Sequence, residues 1–270
     1  MNKPAASPII SPIKPLKQKG VPPLTVKTRG IVLGQIPMRD QDKKLLILTE
    51  DMGLIEAIAR KVNGGRSSLS AAAEVLACSD FCLYAGKSGY IVNSADLNQN
   101  FYDLRMDLEK LSLASYFCEL TRFILPDRDN GGACLKLLLN TLWLLEKGKR
   151  SPAMLKAVYE LRLLCLSGFA PDLSGCLHCG AEEALTFFPL DGTLLCSECL
   201  GAMPPDRPRM PLPQPVFLAM RHICEAPDEK LFSFKLTPDS EAALGQVTEA
   251  FTLCQTGGQF KSLDFYKTVV

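Results

Sequence analysis

Histidine is nearly missing from this 270-residue chain: His178 and His222 are the only two. No H-E-x-x-H occurs, nor any H-x-E beside a Cys-x-x-Cys, so the sequence carries neither a zinc-hydrolase nor a deaminase signature. Aromatics are scarce as well; Phe81, Tyr84 and Tyr90 are the only ones between residues 25 and 100. No run of about eighteen uncharged apolar residues is present, and the opening MNKPAASPIISPIKPLKQKG lacks the apolar core of a signal peptide. A cytoplasmic protein without a membrane partner is the expectation. Gly-x-Ser-x-Gly and the Rossmann glycine fingerprint are absent too. Gly86-Lys87-Ser88 has the end of a phosphate-binding loop, but Phe81 stands where its first glycine is required. Asp127 and Asp129 fall in a loop and are read as solvated turn residues. No catalytic residue is assigned.

The chain is rich in cysteine, with eleven. Seven (Cys78, Cys82, Cys118, Cys134, Cys165, Cys224 and Cys254) are scattered through apolar segments and read as small core residues. The other four form two Cys-x-x-Cys pairs, Cys176 with Cys179 and Cys196 with Cys199, sixteen residues apart with an Asp191-Gly192 turn between. Two thiolate knuckles joined by a hairpin predict one tetrahedral Zn2+ with no open position, a structural site rather than a catalytic one. His178 is read as a solvent-facing knuckle residue.

A net charge of +1 conceals an asymmetry. Residues 1–66 hold twelve basic and five acidic side chains, whereas residues 67–270 hold eighteen and twenty-four. A basic N-terminal quarter favours phosphate backbones, since each neutralised phosphate releases counterions. Residues 1–24, with six prolines and four lysines, read as a disordered basic tail.

From Thr25 the texture becomes short β-type runs: TVKTRGIVLG, KKLLILTED, GLIEAIARKV, EVLACSDFCLYAG and GYIVNSADL. They are punctuated by turns at Asp51-Met52-Gly53, Asn63-Gly64-Gly65 and Gly86-Lys87-Ser88-Gly89. Five strands without an intervening helix predict an OB-fold β-barrel over residues 25–98. Lys27, Arg29, Lys43, Lys44, Arg60, Lys61 and Arg66 would line its groove, and with so few aromatics the binding expected is backbone-driven and sequence-tolerant.

After Asn98 the period turns helical. Leu104, Leu108, Leu111 and Cys118 share one face of the first helix, and GACLKLLLNTLWLLEKG, apolar almost all round, predicts the buried central helix. Ser151-Pro152 opens a third, which Gly168 and Pro171 close. QPVFLAMRHICEA and a segment capped by Thr237-Pro238 follow. The whole is multidomain α+β: an α-helical bundle of residues 99–172 and 203–270, with a four-cysteine zinc module, residues 173–202, inserted in it.

This order of parts, with TRGIVL, LLILTEDMGLIEAIARKV, GGRSSLSAAAEVL, CLHCG, GTLLCSEC and GQFKSLDFYKTV, closely resembles the bacterial RecO family of DNA-repair proteins. The resemblance runs from about Thr25 to the end; the basic tail departs from it. It implies a non-enzymatic recombination mediator that binds single- and double-stranded DNA, anneals complementary strands and helps load recombinase onto coated single strands. Its implied partners are RecR, the acidic C-terminal tail of single-stranded-DNA-binding protein, and RecF. It adds Arg39 to the DNA-binding set and implies that the partner tail meets a basic side chain of the helical bundle, for which Arg122, Lys136, Lys156 and Arg162 are candidates. Two other readings remain: a zinc-ribbon nucleic-acid-binding protein of transcription or translation, against which its loop residues Glu182, Glu183 and Asp191 argue, and a metalloenzyme.

Overall fold

A computed structural model describes residues 24–62, 69–86, 89–125, 131–202, 204 and 206–270. The proline-lysine tail through residue 23, the Asn63-Gly64-Gly65 turn, Arg66, Lys87-Ser88, Asp127 and Asp129 lie outside the described residues.

Five strands close into a barrel: β1 (Leu24–Pro37), β2 (Lys43–Thr49), β3 (Gly53–Ala59), β4 (Cys78–Gly86) and β5 (Gly89–Gln99), in the order β1-β2-β3-β5-β4. All neighbours are antiparallel except β3 and β5. β1 serves two partners, pairing with β4 through its first half and β2 through its second. Gly30 sits at the changeover because nothing larger fits; a Cβ there would lie 2.8 Å from both Ile47 Cγ2 and Leu48 O. Along β1, Thr28 is buried between exposed Lys27 and Arg29.

The apolar run Ile31-Val32-Leu33 has no polar alternation because both faces of β1 are covered there. Val32 joins Leu45, Ile47, Ala57, Phe81 and Leu83 inside the barrel, while Ile31 and Leu33, with Leu48 and Cys78, join the core of the helical bundle. β4 starts at Cys78 and not at the predicted Glu74. Leu76 takes a left-handed φ of 70°, and the preceding turn instead clasps β1 through Val32 N–H to Ala77 O and Leu76 N–H to Val32 O.

The bundle comprises α1 (Leu108–Ile124), α2 (Gly131–Glu146), α3 (Pro152–Leu166), α4 (Gln214–Glu225), α5 (Pro238–Thr256) and α6 (Lys261–Val269). Ser151 and Thr237 cap α3 and α5 by accepting from Met154 N–H and Ser240 N–H, with Pro152 and Pro238 as first helical residues. The central helix is α3, which packs against α1, α2, α4 and α5. This corrects the expectation for α2, whose apolar surface instead faces α3 and the barrel strands β2 and β3, leaving Trp143 exposed. Leu108 is exposed as well, at the first position of α1 before the buried face begins. Among the described residues no helix is long and apolar enough to cross a membrane.

Between α3 and α4 lies a three-stranded sheet, β6 (Leu185–Phe188), β7 (Thr193–Cys196) and β8 (Met210–Leu212), ordered β7-β6-β8. The β6–β7 hairpin turns at Gly192, with φ 68°. It rests on α5: Phe187 meets Phe251 edge-on at 5.5 Å, and Gln255 Nε2 donates to Pro189 O and Leu190 O.

Candidate metal centre and nucleic-acid interface

Two turns and one hairpin bring the four clustered thiols together. Gly175 and Gly180, both with positive φ, allow the first knuckle to fold back so that Gly180 N–H reaches Cys176 O at 2.8 Å and Cys176 N–H reaches Ala181 O at 2.8 Å. A Cβ on Gly175 would lie 2.7 Å from Gly180 O. Cys196 ends β7, and Ser197 N–H bonds Ala184 O to start the second knuckle. The Sγ atoms of Cys176, Cys179, Cys196 and Cys199 all lie within 4.8 Å of one another, and those of Cys179 and Cys196 are 3.6 Å apart. A tetrahedron of metal–sulfur bonds of about 2.3 Å sets its sulfurs about 3.8 Å apart, so the residues fit a metal ion held by four thiolates. The His178 side chain is exposed and is not among the clustered ligand atoms.

The electrostatics prepare the same site. Burial pushes the Cys176 thiol up, but backbone N–H groups of Cys196, Cys179 and His178 outweigh it and bring the group down to about 6. Cys199, beside the sulfurs of Cys196 and Cys179, is pushed up to about 12.

The barrel's cationic residues fall into two sets. Arg39 follows β1, Lys43 and Lys44 open β2, and Arg60 and Lys61 follow β3; the pairing of Pro37 with Lys43 and of Lys43 with Ala59 gathers them at one end of the barrel. Lys27 and Arg29 lie on the first half of β1, opposite Cys82 and Asp80 of β4. Several are already paired. Arg29 forks onto Asp80 at 2.9 and 3.3 Å, Lys43 reaches Glu74 at 2.9 Å with only 12% of its side chain exposed, and Lys44 meets Glu56 at 2.8 Å. Lys27, Arg39, Arg60 and Lys61 are exposed with no carboxylate partner among the described residues. Lys61 is fixed by its backbone, φ 51°, where its N–H donates to Asp42 Oδ1 at 2.9 Å.

The four cationic residues of the bundle do not converge. Arg122 lies exposed at the end of α1, its Nη1 2.9 Å from where a Cβ on Gly34 would stand, next to exposed Phe123. Lys136 and Arg162 share Asp228, at 3.0 and 3.2 Å. Lys156 is buried between Glu160 at 2.8 Å and Glu249 at 2.9 Å, and Tyr116 and Thr248 donate to Glu160 as well. Read from sequence as a surface cation, Lys156 is part of an internal network; its spacing of four residues from Glu160 along α3 was the one available signal.

A closed barrel with a cationic end, fused to a helical bundle that carries a cluster of four cysteines able to hold a metal ion, defines a barrel-and-bundle protein with a four-cysteine module. The sequence matches the family models described as Recombination protein O N terminal, over residues 24–101, and Recombination protein O C terminal, over residues 105–264. It is similar to the DNA repair protein RecO of Acetivibrio thermocellus, 32% identical over 246 residues, which is 90% of this chain and 97% of the relative. The DNA repair protein RecO of Symbiobacterium thermophilum is 29% identical over 245 residues, 89% of this chain and 96% of the relative; that of Rubrobacter xylanophilus is 32% identical over 238 residues, 86% and 92%. The chain belongs to the RecO family of DNA repair proteins.

Proposed function

We propose that this protein is a DNA-binding recombination mediator that anneals complementary single strands and helps load recombinase onto coated single-stranded DNA, without a chemical step of its own. The observation that carries the reading is the group of exposed cations, Arg39, Arg60 and Lys61, without carboxylate partners among the described residues, on one end of a barrel in a chain of this family. Holding two strands while screening their repulsion lowers the barrier to pairing and needs no catalytic side chain. Both single- and double-stranded DNA fit a surface that addresses phosphate rather than bases.

The thiolate site is assigned one structural Zn2+, held by Cys176, Cys179, Cys196 and Cys199. Four thiolates leave no open position for water or substrate, and the β6–β7 hairpin is packed onto α5 rather than presented to a partner. Its acidic loop residues are also engaged, Glu182 with Arg221 at 3.0 Å and Asp191 with Arg207, which disfavours a zinc ribbon that touches nucleic acid.

RecR, RecF and the acidic tail of single-stranded-DNA-binding protein are the proposed protein partners. For the tail, Arg122 is the best placed of the four bundle cations, because the other three are held by carboxylates, while it has no carboxylate partner among the described residues and lies beside exposed Phe123. Strand annealing with a labelled pair of complementary oligonucleotides tests the central reading. Acceleration over the spontaneous rate, diminishing as salt rises, is the expected result; an unchanged rate at low salt overturns it.

A further inference from the structure

Two cysteines outside the metal module stand in contact. Cys165, in the last turn of α3, and Cys224, in the last turn of α4, have their sulfurs 3.4 Å apart. A disulfide has its sulfurs about 2.05 Å apart, so closure needs a shift of only about 1.4 Å. Both residues are half-buried. We propose that Cys165 and Cys224 are a peroxide-sensitive dithiol, a modification site whose reversible disulfide locks the stem of the four-cysteine module.

Polarity between the two sulfurs assigns the roles. The two sulfurs are within hydrogen-bond reach of one another, and this contact, with Arg162 assisting against burial, holds the Cys165 thiol below its usual range, while the same contact and burial push Cys224 well above it. Arg162 is fixed beside the pair because its Nη1 donates to Ile223 O and Cys224 O at 3.2 and 2.8 Å. With the shared proton on Cys224, Cys165 is the nucleophile. Its thiolate attacks one oxygen of hydrogen peroxide, the O–O bond breaks, and the departing hydroxide takes the proton of the thiol pair to leave as water, giving a sulfenic acid at Cys165. The Cys224 sulfur then attacks that sulfur, the S–O bond breaks, and the sulfenic oxygen leaves as a second water, taking up the proton that Cys165 gave to solvent when it ionised. Two thiols lose two electrons, and one peroxide gains them.

Elsewhere among the described residues this arrangement does not recur outside the metal module. Burial pushes Cys78 up to about 11 and Cys118 and Cys134 up to about 12, each without a sulfur neighbour. What makes the pair consequential is its position: the two cysteines are 59 positions apart, and the segment between them contains all four metal-site thiols and strands β6, β7 and β8. A bond here would join the helix that leads into the module to the helix that leaves it.

The test is peptide mapping of the metal-loaded full chain after brief treatment with hydrogen peroxide and alkylation. The expected result is a Cys165–Cys224 cross-linked peptide, lighter by two hydrogens, returned to free thiols by dithiothreitol and formed about tenfold faster than Cys82 or Cys254 is oxidised. In Cys224→Ser, dimedone should capture a sulfenic acid at Cys165; in Cys165→Ser, Cys224 should remain alkylatable and unlabelled. The wild-type map stands even if either variant folds poorly. Absence of the cross-link, oxidation that reaches the four module cysteines first, or dimedone labelling on Cys224 overturns the proposal.

Discussion

Gly131, the first residue of α2, lies against Gly53, the first of β3, so closely that a Cβ on Gly131 would stand 2.6 Å from Gly53 Cα and 2.8 Å from Thr49 O. Backbone meets backbone here, and no rotamer can relieve an added methyl. This contact seats the bundle on the barrel, alongside the shared core of Ile31, Leu33 and Leu48.

Gly131→Ala should therefore destabilise the protein by about 1–3 kcal/mol through overpacking, read as a lower urea midpoint with the slope unchanged. The matched control is Gly245→Ala in α5, where nothing lies within 4 Å of the new Cβ. That substitution should stabilise by about 0.4–1 kcal/mol, since alanine is the better helix former and narrows the unfolded ensemble. Equal effects at the two glycines would remove the close approach as the cause.

Metal analysis should give about one zinc per chain, and Cys196→Ser should release it. Because the assembled site contributes directly to folding, the loss is expected on the order of 3 kcal/mol or more, a fall of roughly 10 °C in Tm. DNA binding should decline only as far as folding does. A folded, metal-free variant that had lost DNA binding entirely would move the module from scaffold to contact surface.

The barrel and the thiol site were legible because their signals are local. Strand alternation, Asp191-Gly192 and the Cys-x-x-Cys spacing each lie within a few residues. What escaped depends on distant partners. β8 is three residues containing Pro211 and exists only because β6 offers an edge. α6 is nine residues whose apolar side finds α1. The centrality of α3 was hidden by Lys156 and Glu160, which look like surface residues until they are seen to neutralise one another inside. The cationic set was visible, but not that Arg29, Lys43 and Lys44 already have carboxylates opposite them.

Lys156→Met tests the internal network. Burial pushes the Glu160 carboxyl up even with Lys156 opposing it; without the ammonium its value in the folded state rises further. Between the unfolded value, about 4.3, and that raised value, the unfolded chain has released a proton that the native state keeps, so stability falls as pH rises. The variant should lose about 3 kcal/mol at neutral pH and recover part of it near pH 4.5. Adding Glu160→Gln should flatten that dependence. A single variant whose urea midpoint is independent of pH over this range would show that Lys156 does not hold Glu160 ionised.

The DNA surface is best tested where removing charge leaves no carboxylate behind. Arg39→Gln, Arg60→Gln and Lys61→Asn together remove three exposed cations from one end of the barrel; asparagine suits the left-handed backbone at position 61. Stability should change by no more than about 0.5 kcal/mol. If each side chain neutralises one phosphate, the slope of log affinity against log salt should shrink by about 2 for single-stranded DNA, and annealing should slow on every sequence alike. Lys43→Gln provides the contrast: it takes from Glu74 its ammonium partner and leaves only the longer bond from Gln35 Nε2, so it should cost stability while altering the salt slope less than any one of the three. Should the triple variant keep the wild-type slope while Lys27→Gln reduces it, the binding face would lie on the first half of β1 and not at the end where β1, β2 and β3 meet.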